Sequence, residues 1–241
     1  MTSISINSAR QWLKTSPHPI ARRGLGLCMQ LRHFELPAPR ILYAAIYNLH
    51  RLLSMAVSAC VRVFYWTPLF RSRTTHAGKS LYLYGGMPYL SGPLEIRYGD
   101  NCRISGRTTF SGRAASPSVP LLTLGDNVDV GWQSTIAVGT QVVIGNNVRI
   151  AGNAFFAGYP GHPISAADRA AGLPDQDCQA GDITIEDDVW IATGVTILPN
   201  VRIGKRAIIA TGSVVTTDIP ADVLAGGVPA RVIKSLIKLE K

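Results

Sequence analysis

One histidine stands apart in this chain of 241 residues. His162 is the only histidine after His76, and it lies in the longest break of an otherwise regular pattern, the stretch 157–182. Its neighbours are Pro160, Gly161 and Pro163. Proline fixes its own backbone angle and restricts the residue before it, so a histidine in this setting is aimed rather than loose. Imidazole takes and returns a proton near neutral pH, which suits removal of a proton from a hydroxyl or an amine. The plainer reading of the same residue is a solvated surface histidine. The cysteines offer no comparable chemistry. Cys28, Cys60, Cys102 and Cys178 stand 32, 42 and 76 residues apart, with no CxxC and no Cys/His pairing. Neither a zinc site nor a disulfide framework is expected, and a reducing compartment is the default.

The pattern that His162 interrupts has a period of six. One register reads Leu124, Val130, Ile136, and after a two-residue reset Ile144, Ile150, Phe156. It resumes as Ile185, Ile191, Ile197, Ile203, Ile209, Val215. Six matches neither the helical period nor the two-residue alternation of a strand. It matches a solenoid of short strands that turn a corner every six residues and stack coil upon coil. The position after each aliphatic residue is often small, as at Gly125, Gly131, Gly145, Ala192 and Ala210. Asp126-Asn127, Asn146-Asn147 and Asp187-Asp188 supply residues that tolerate cramped or left-handed turns. Tyr98, Ile104 and Phe110 keep the same step more weakly, followed by a polar bulge over 111–120. The expectation is an all-β solenoid of about five coils, residues 81–241, with a loop at 157–182 and a tail over 221–241.

Residues 1–80 have a different character. They hold eleven Lys/Arg and one acid, Glu35, whereas residues 81–241 hold thirteen Lys/Arg and fourteen acids. All of the +9 net charge therefore belongs to a basic, partly helical N-terminal extension, which calls for an acidic partner. From Leu42 to Trp66 the pattern is helical and apolar around most of its circumference, with one polar stripe of Arg51, Ser54, Ser58 and Arg62. Central arginines cost about 3 kcal/mol each on insertion, which disfavours a span. Two readings remain: a helix lying on an anionic membrane, with Phe64, Tyr65, Trp66 and Phe70 at headgroup depth and Arg71 and Arg73 on phosphate, or a helix packed on protein. The basic residues are dispersed, so nucleic acid is not the expected partner. Arg10, Lys14, Arg22 and Arg23 break any signal-peptide pattern. A cytoplasmic protein, peripheral at the inner membrane face, is expected.

From about Leu122 to Lys234 the chain resembles the hexapeptide-repeat acyltransferases, which fold as a left-handed parallel β-helix. It is most similar to the galactoside, maltose and xenobiotic O-acetyltransferases. The matching stretches are Gly161-His162-Pro163, Asp188-Val189-Trp190-Ile191, Thr211-Gly212-Ser213-Val214-Val215, Asp218-Ile219-Pro220 and the run from Gly227 to Lys234. The basic helical N-terminus resembles acetyltransferases that act on bacterial envelope polysaccharides.

The resemblance implies an acetyl-CoA-dependent O-acetyltransferase without a metal, acting on a saccharide acceptor, with His162 as general base. It implies a cofactor wall of Thr193, Thr211, Thr216, Thr217, Arg231 and Lys234, with Trp190 beside the pantetheine or the histidine loop. It also implies a homotrimer with sites between subunits. The family's substrate-binding asparagine falls here at Gly131, so Trp132 or Gln133 takes its place. Other departures are Thr217 for a lysine, Ala192 for a glycine and Pro199-Asn200 for Pro-Gly. A carbonic anhydrase on the same scaffold needs three histidines for zinc, and the repeat region has one. N-acetylation of an amino sugar and a catalytically silent solenoid scaffold are the alternatives.

Overall fold

The computed structural model describes residues 6–237; the first five residues of the expected extension and the last four of the expected tail lie outside them. Two units emerge, residues 1–54 and residues 55–241.

The larger unit is a left-handed parallel β-helix. Three parallel sheets, here A, B and C, form the walls of a triangular prism, and each coil visits them in that order. Six coils are present, one more than the hexapeptide register displays. The extra coil comes first: His76–Ala77 in sheet A, Tyr82–Tyr84 in sheet B and Tyr89–Ser91 in sheet C. Its pairing with the next coil is regular, but its register positions are Ala77, Leu83 and Leu90, and the second step is seven residues rather than six.

The aliphatic register points into the prism. Ile136, Phe156, Ile191, Ile197, Ile203, Ile209 and Val215 are completely buried, and Tyr98, Ile104 and Phe110 continue the stack. Each such side chain contributes about 1.5–3 kcal/mol by leaving water, and each six-residue step delivers one to a wall. Corners between sheets A and B carry left-handed residues, with φ of 55–58° at Asn127 and Asn147 and 61° at Asp188. Asn and Asp are chosen there because their short polar side chains tolerate that region. They also stack: Asn127 bonds Asn147 at 2.8 Å, and Asn147 bonds Asp188 at 3.0 Å. The prism is thus tied by its core and along its edge.

The final coil closes with a hairpin. Val223–Gly227 adds to sheet B beside Ile208–Ile209, and Ala230–Ser235 folds back antiparallel on it.

A helix of 32 residues, Arg40–Arg71, precedes the solenoid. It widens by one turn at Arg62–Trp66, just before Pro68, where an α-helical turn would lack the proline donor. Its end corrects the expectation for the aromatic cluster. Phe70 is completely buried in the solenoid core, 5.9 Å from the Tyr98 ring, and Trp66 packs against the same core. Arg71 donates to the Tyr98 hydroxyl at 3.2 Å and to the Gly78 carbonyl at 3.0 Å. Arg62 lies over the Tyr82 ring at 4.8 Å. These side chains anchor protein, so only Phe64 and Tyr65 of the cluster remain exposed. In the smaller unit, Ile6–Thr15 and Pro19–Arg32 form a helical pair. Among described residues, none of Arg40–Val61 is buried.

Candidate active site

The histidine loop leaves the solenoid at the corner between sheets C and A. Strand Phe155–Ala157 ends the fourth coil and Ile183–Ile185 begins the fifth. The chain between them is pinned at its base, where Gly181 N–H donates to the Gly158 carbonyl at 2.9 Å and Thr140 bonds Asp182. Tyr159 reaches Ser111 at 3.1 Å.

The principal anchor is an arginine that the sequence reading passed over. Arg113 follows strand Thr109–Gly112 and is the largest fully buried side chain among the described residues. Its Nε donates to Asp175 Oδ1 at 3.0 Å, its Nη2 to the Asp175 carbonyl at 2.7 Å, and its Nη1 to Asp177 Oδ1 at 2.6 Å. Asp175 is as buried as its partner, at 5% against 2% exposure of the side chains. Burying such a pair is worthwhile only with good geometry and further hydrogen bonds, which the fork supplies. Even so, Asp175 Oδ2 is buried without a hydrogen-bond partner.

From this anchor the restraint passes to His162. Asp177–Gln179 forms a short 3-10 turn, and Gln179 Nε2 donates to the His162 carbonyl at 3.2 Å. Pro163 is buried, and Arg169 Nη1 holds its carbonyl at 3.0 Å. The carbonyls of the histidine and of the residue after it are thus both held, while the histidine itself is exposed. No signal in the local sequence marks this network, because Arg113 is separated from its partners by 62 and 64 residues.

The other expected site residues divide between two corners. Trp132, Thr193 and Thr211 occupy equivalent positions on the third, fifth and sixth coils at the corner between sheets B and C, since Asp129, Arg149, Trp190 and Ile208 pair in register. Gln133 stands next to Trp132, exposed and left-handed at φ 55°. The closing hairpin extends the same column, placing Gly227 above Thr211 and Arg231 opposite Gly226. Lys234 pairs with Leu224 on the outer edge of sheet B. Thr216 and Thr217 follow strand Val214–Val215 and lie on the corner between C and A, the side from which the histidine loop departs. One chain therefore does not gather all of these groups at one corner.

Trp132 and Trp190 do meet across one groove of about 390 Å³ on sheet B. The Trp132 indole is laid over Gly152: a Cβ there would come within 1.8 Å of its Nε1. A Cβ at Gly131 would approach the next coil's backbone to 2.7–2.8 Å, so the coil has no room for an asparagine at that position without shifting.

The fold and the anchored loop define a left-handed β-helix protein with one long loop set out from its coils. Residues 182–217 match the family described as bacterial transferase hexapeptide (six repeats). The galactoside O-acetyltransferase of Escherichia coli (strain K12) is 39% identical over 118 residues, 49% of this chain and 56% of that protein. The galactoside O-acetyltransferase of Lactococcus lactis is 34% identical over 112 residues, 46% of this chain and 52% of that one. The chain spans about half the length of these curated relatives. Among solved structures, AntD, an N-acyltransferase from Bacillus cereus in complex with dTDP-4-amino-4,6-dideoxyglucose and coenzyme A, shares the fold. Its TM-score is 0.56 at 18% identity, covering 73% of this chain and 94% of that one.

Proposed function

We propose that this protein is an acetyl-CoA-dependent O-acetyltransferase that acetylates a sugar hydroxyl of a bacterial polysaccharide or lipid-linked saccharide. The observation that carries the reading is His162, exposed on a loop whose backbone is fastened from Arg113 through Gln179. His162 takes the proton of the acceptor hydroxyl as the oxygen attacks the thioester carbonyl, then returns it to the departing sulfur. A positioned base of this kind contributes about 10²–10⁴-fold; alignment and donors on the developing oxyanion supply the rest.

The residues present suit acetyl-CoA. Thr193 and Thr211 are exposed along one corner, Arg231 continues it on the closing hairpin and Lys234 lies farther along the same strand, both cations exposed and in no ion pair among the described residues. Two cations at the end of a neutral wall fit the phosphates of the nucleotide. Because the histidine loop and this wall start from different corners, we assign the complete site to the cleft between subunits of a homotrimer. Mixing a His162→Ala protein with an Arg231→Ala protein would then restore activity in hybrid trimers.

The membrane face of the cytoplasm fits the N-terminal region. Helix Arg40–Arg71 is long and apolar enough to cross a membrane by length and composition. Arg51 midway makes a surface position cheaper than a span. Sedimentation with anionic liposomes that is lost at high salt is the expected result; salt-insensitive failure to bind refutes it.

The deciding experiment is release of CoA from acetyl-CoA in the presence of an envelope saccharide extract. Release that depends on saccharide and collapses in His162→Ala supports the proposal, and release that survives the substitution overturns the role of His162. Amino-sugar N-acetylation is the second reading, because an imidazole that takes a proton from a hydroxyl can take one from an amine. An alkali-stable product would establish it.

A further inference from the structure

The groove on sheet B is more than a meeting point of two tryptophans. At the Trp132 position the equivalent residues on other coils are Gly85, Gly106, Gly152, Thr193 and Thr211; at the Trp190 position they are Tyr82, Arg103, Asp129, Arg149 and Ile208. Apart from Tyr82 on the first coil, the repeat places no aromatic residue at either position. Both indoles are nonetheless half exposed, at 56% and 51%, and the Trp132 ring is held flat by the missing side chain at Gly152. Exposed, rigid aromatic faces cost free energy in water unless a ligand covers them.

The polar groups between the rings are also fixed. Tyr84 reaches down from the first coil to donate to the Val130 carbonyl at 3.2 Å. The Asp129 carboxylate faces Arg103 at 3.4 Å, and Arg149 is tied to Asn127 through its Nη2 at 3.1 Å. The groove thus offers flat apolar faces flanked by one carboxylate and two guanidiniums, with the Asp129 carboxylate already paired to Arg103 and Arg149 left as the donor. A phosphorylated ligand would meet the Asp129 carboxylate, and a wholly apolar one would strip water from Asp129 and Arg149 without replacing it. A neutral pyranose satisfies both demands: its C–H face covers an indole and its hydroxyls bond the carboxylate and the guanidinium. The surface is also long. From Tyr84 to Trp190 it crosses four coil steps, about 19 Å, and stacked Tyr82 and Tyr84 rings, 6.3 Å apart, extend it.

We propose that this groove binds an extended, neutral saccharide chain, so that the acceptor is read as a polymer over several sugar residues. The inference rests on the acetyl-transfer reading for its purpose, but the binding stands or falls separately. The test is a tryptophan-fluorescence titration of the full-length protein with size-fractionated neutral oligosaccharides, one to six sugars long, released from the envelope extract. Affinity should tighten at least about tenfold from the shortest to the longest. Tyr84→Ala and Asp129→Asn should each remove most of that gain, with CoA binding unchanged and both variants still folded by circular dichroism at the titration temperature. Equal affinity at every length, no binding by any fraction, unaltered binding by both variants, or displacement of the longest fraction by free CoA would each overturn the proposal. Length-dependent binding in a protein that neither binds CoA nor transfers acetyl would uphold the groove and refute the enzyme.

Discussion

The rungs of the prism and the histidine loop are built on opposite principles. A rung is held by neighbours of its own kind: Ile197 sits between Phe156 and Val215 on paired strands and is completely buried. The same contact recurs on every coil, so stability is spread over many equivalent sites. The loop is held by one buried ion pair and a few hydrogen bonds that occur once. Regular walls supply a frame without chemistry, and a single irregular anchor aims the group that could perform it.

The largest expected effect isolates the loop's chemistry from its structure. His162→Ala should lower saccharide-dependent CoA release by about 10²–10⁴-fold while leaving the melting temperature in place. A drop in melting temperature of the same variant would mean that the loop supports the fold after all. Next comes its anchor. Arg113→Met leaves Asp175 charged and buried, an expected loss of about 3–5 kcal/mol. The Arg113→Met, Asp175→Leu double variant should recover most of that stability, as read by urea unfolding, yet remain poorly active because nothing then fastens Gln179 and His162. Recovery of activity along with stability would remove the positioning role.

A rung should answer differently. Ile197→Ala should cost about 2–5 kcal/mol through lost burial and the cavity left behind, with turnover per folded molecule unchanged. Gly152→Ala forces the Trp132 indole off the coil, for about 1–3 kcal/mol of overpacking and altered tryptophan fluorescence. An unchanged spectrum would mean the ring is not fixed there. The smallest effect lies on an edge. The Lys205 backbone N–H, followed by the Arg202 side chain, holds the Glu186 carboxyl below the usual carboxylate range. Its folded pKa is the lower one, so its stabilisation is present above the unfolded value and lost as pH falls through the folded one. Glu186→Gln should therefore reduce stability at neutral pH by no more than about 1 kcal/mol and make its acid dependence shallower, as followed by thermal melts between pH 3 and 7.

Much of the prism was legible because its cause is local. Six-residue spacing, small residues after the inward aliphatics and Asn or Asp at corners each act within one coil or between adjacent ones. The first coil escaped the pattern because its register positions are Ala77, Leu83 and Leu90, one of them small and the last two seven residues apart, although its strands still pair. The anchoring of Phe70 and Trp66 in the core was equally hidden: an aromatic suits a headgroup or a protein interior, and only the neighbour decides.

The sequence by itself determined that the chain winds into stacked coils, that one histidine interrupts them, and that positive charge gathers before residue 81. Tertiary structure alone decided what fixes that histidine, because Arg113 and Asp175 recognise each other only after three coils bring them together. It also decided that Trp132 and Trp190, 58 residues apart, border one groove, and that the histidine loop and the Thr193 wall rise from different corners. Short-range periodicity is written in neighbouring residues; the direction in which a loop folds back is set by the contacts it finds.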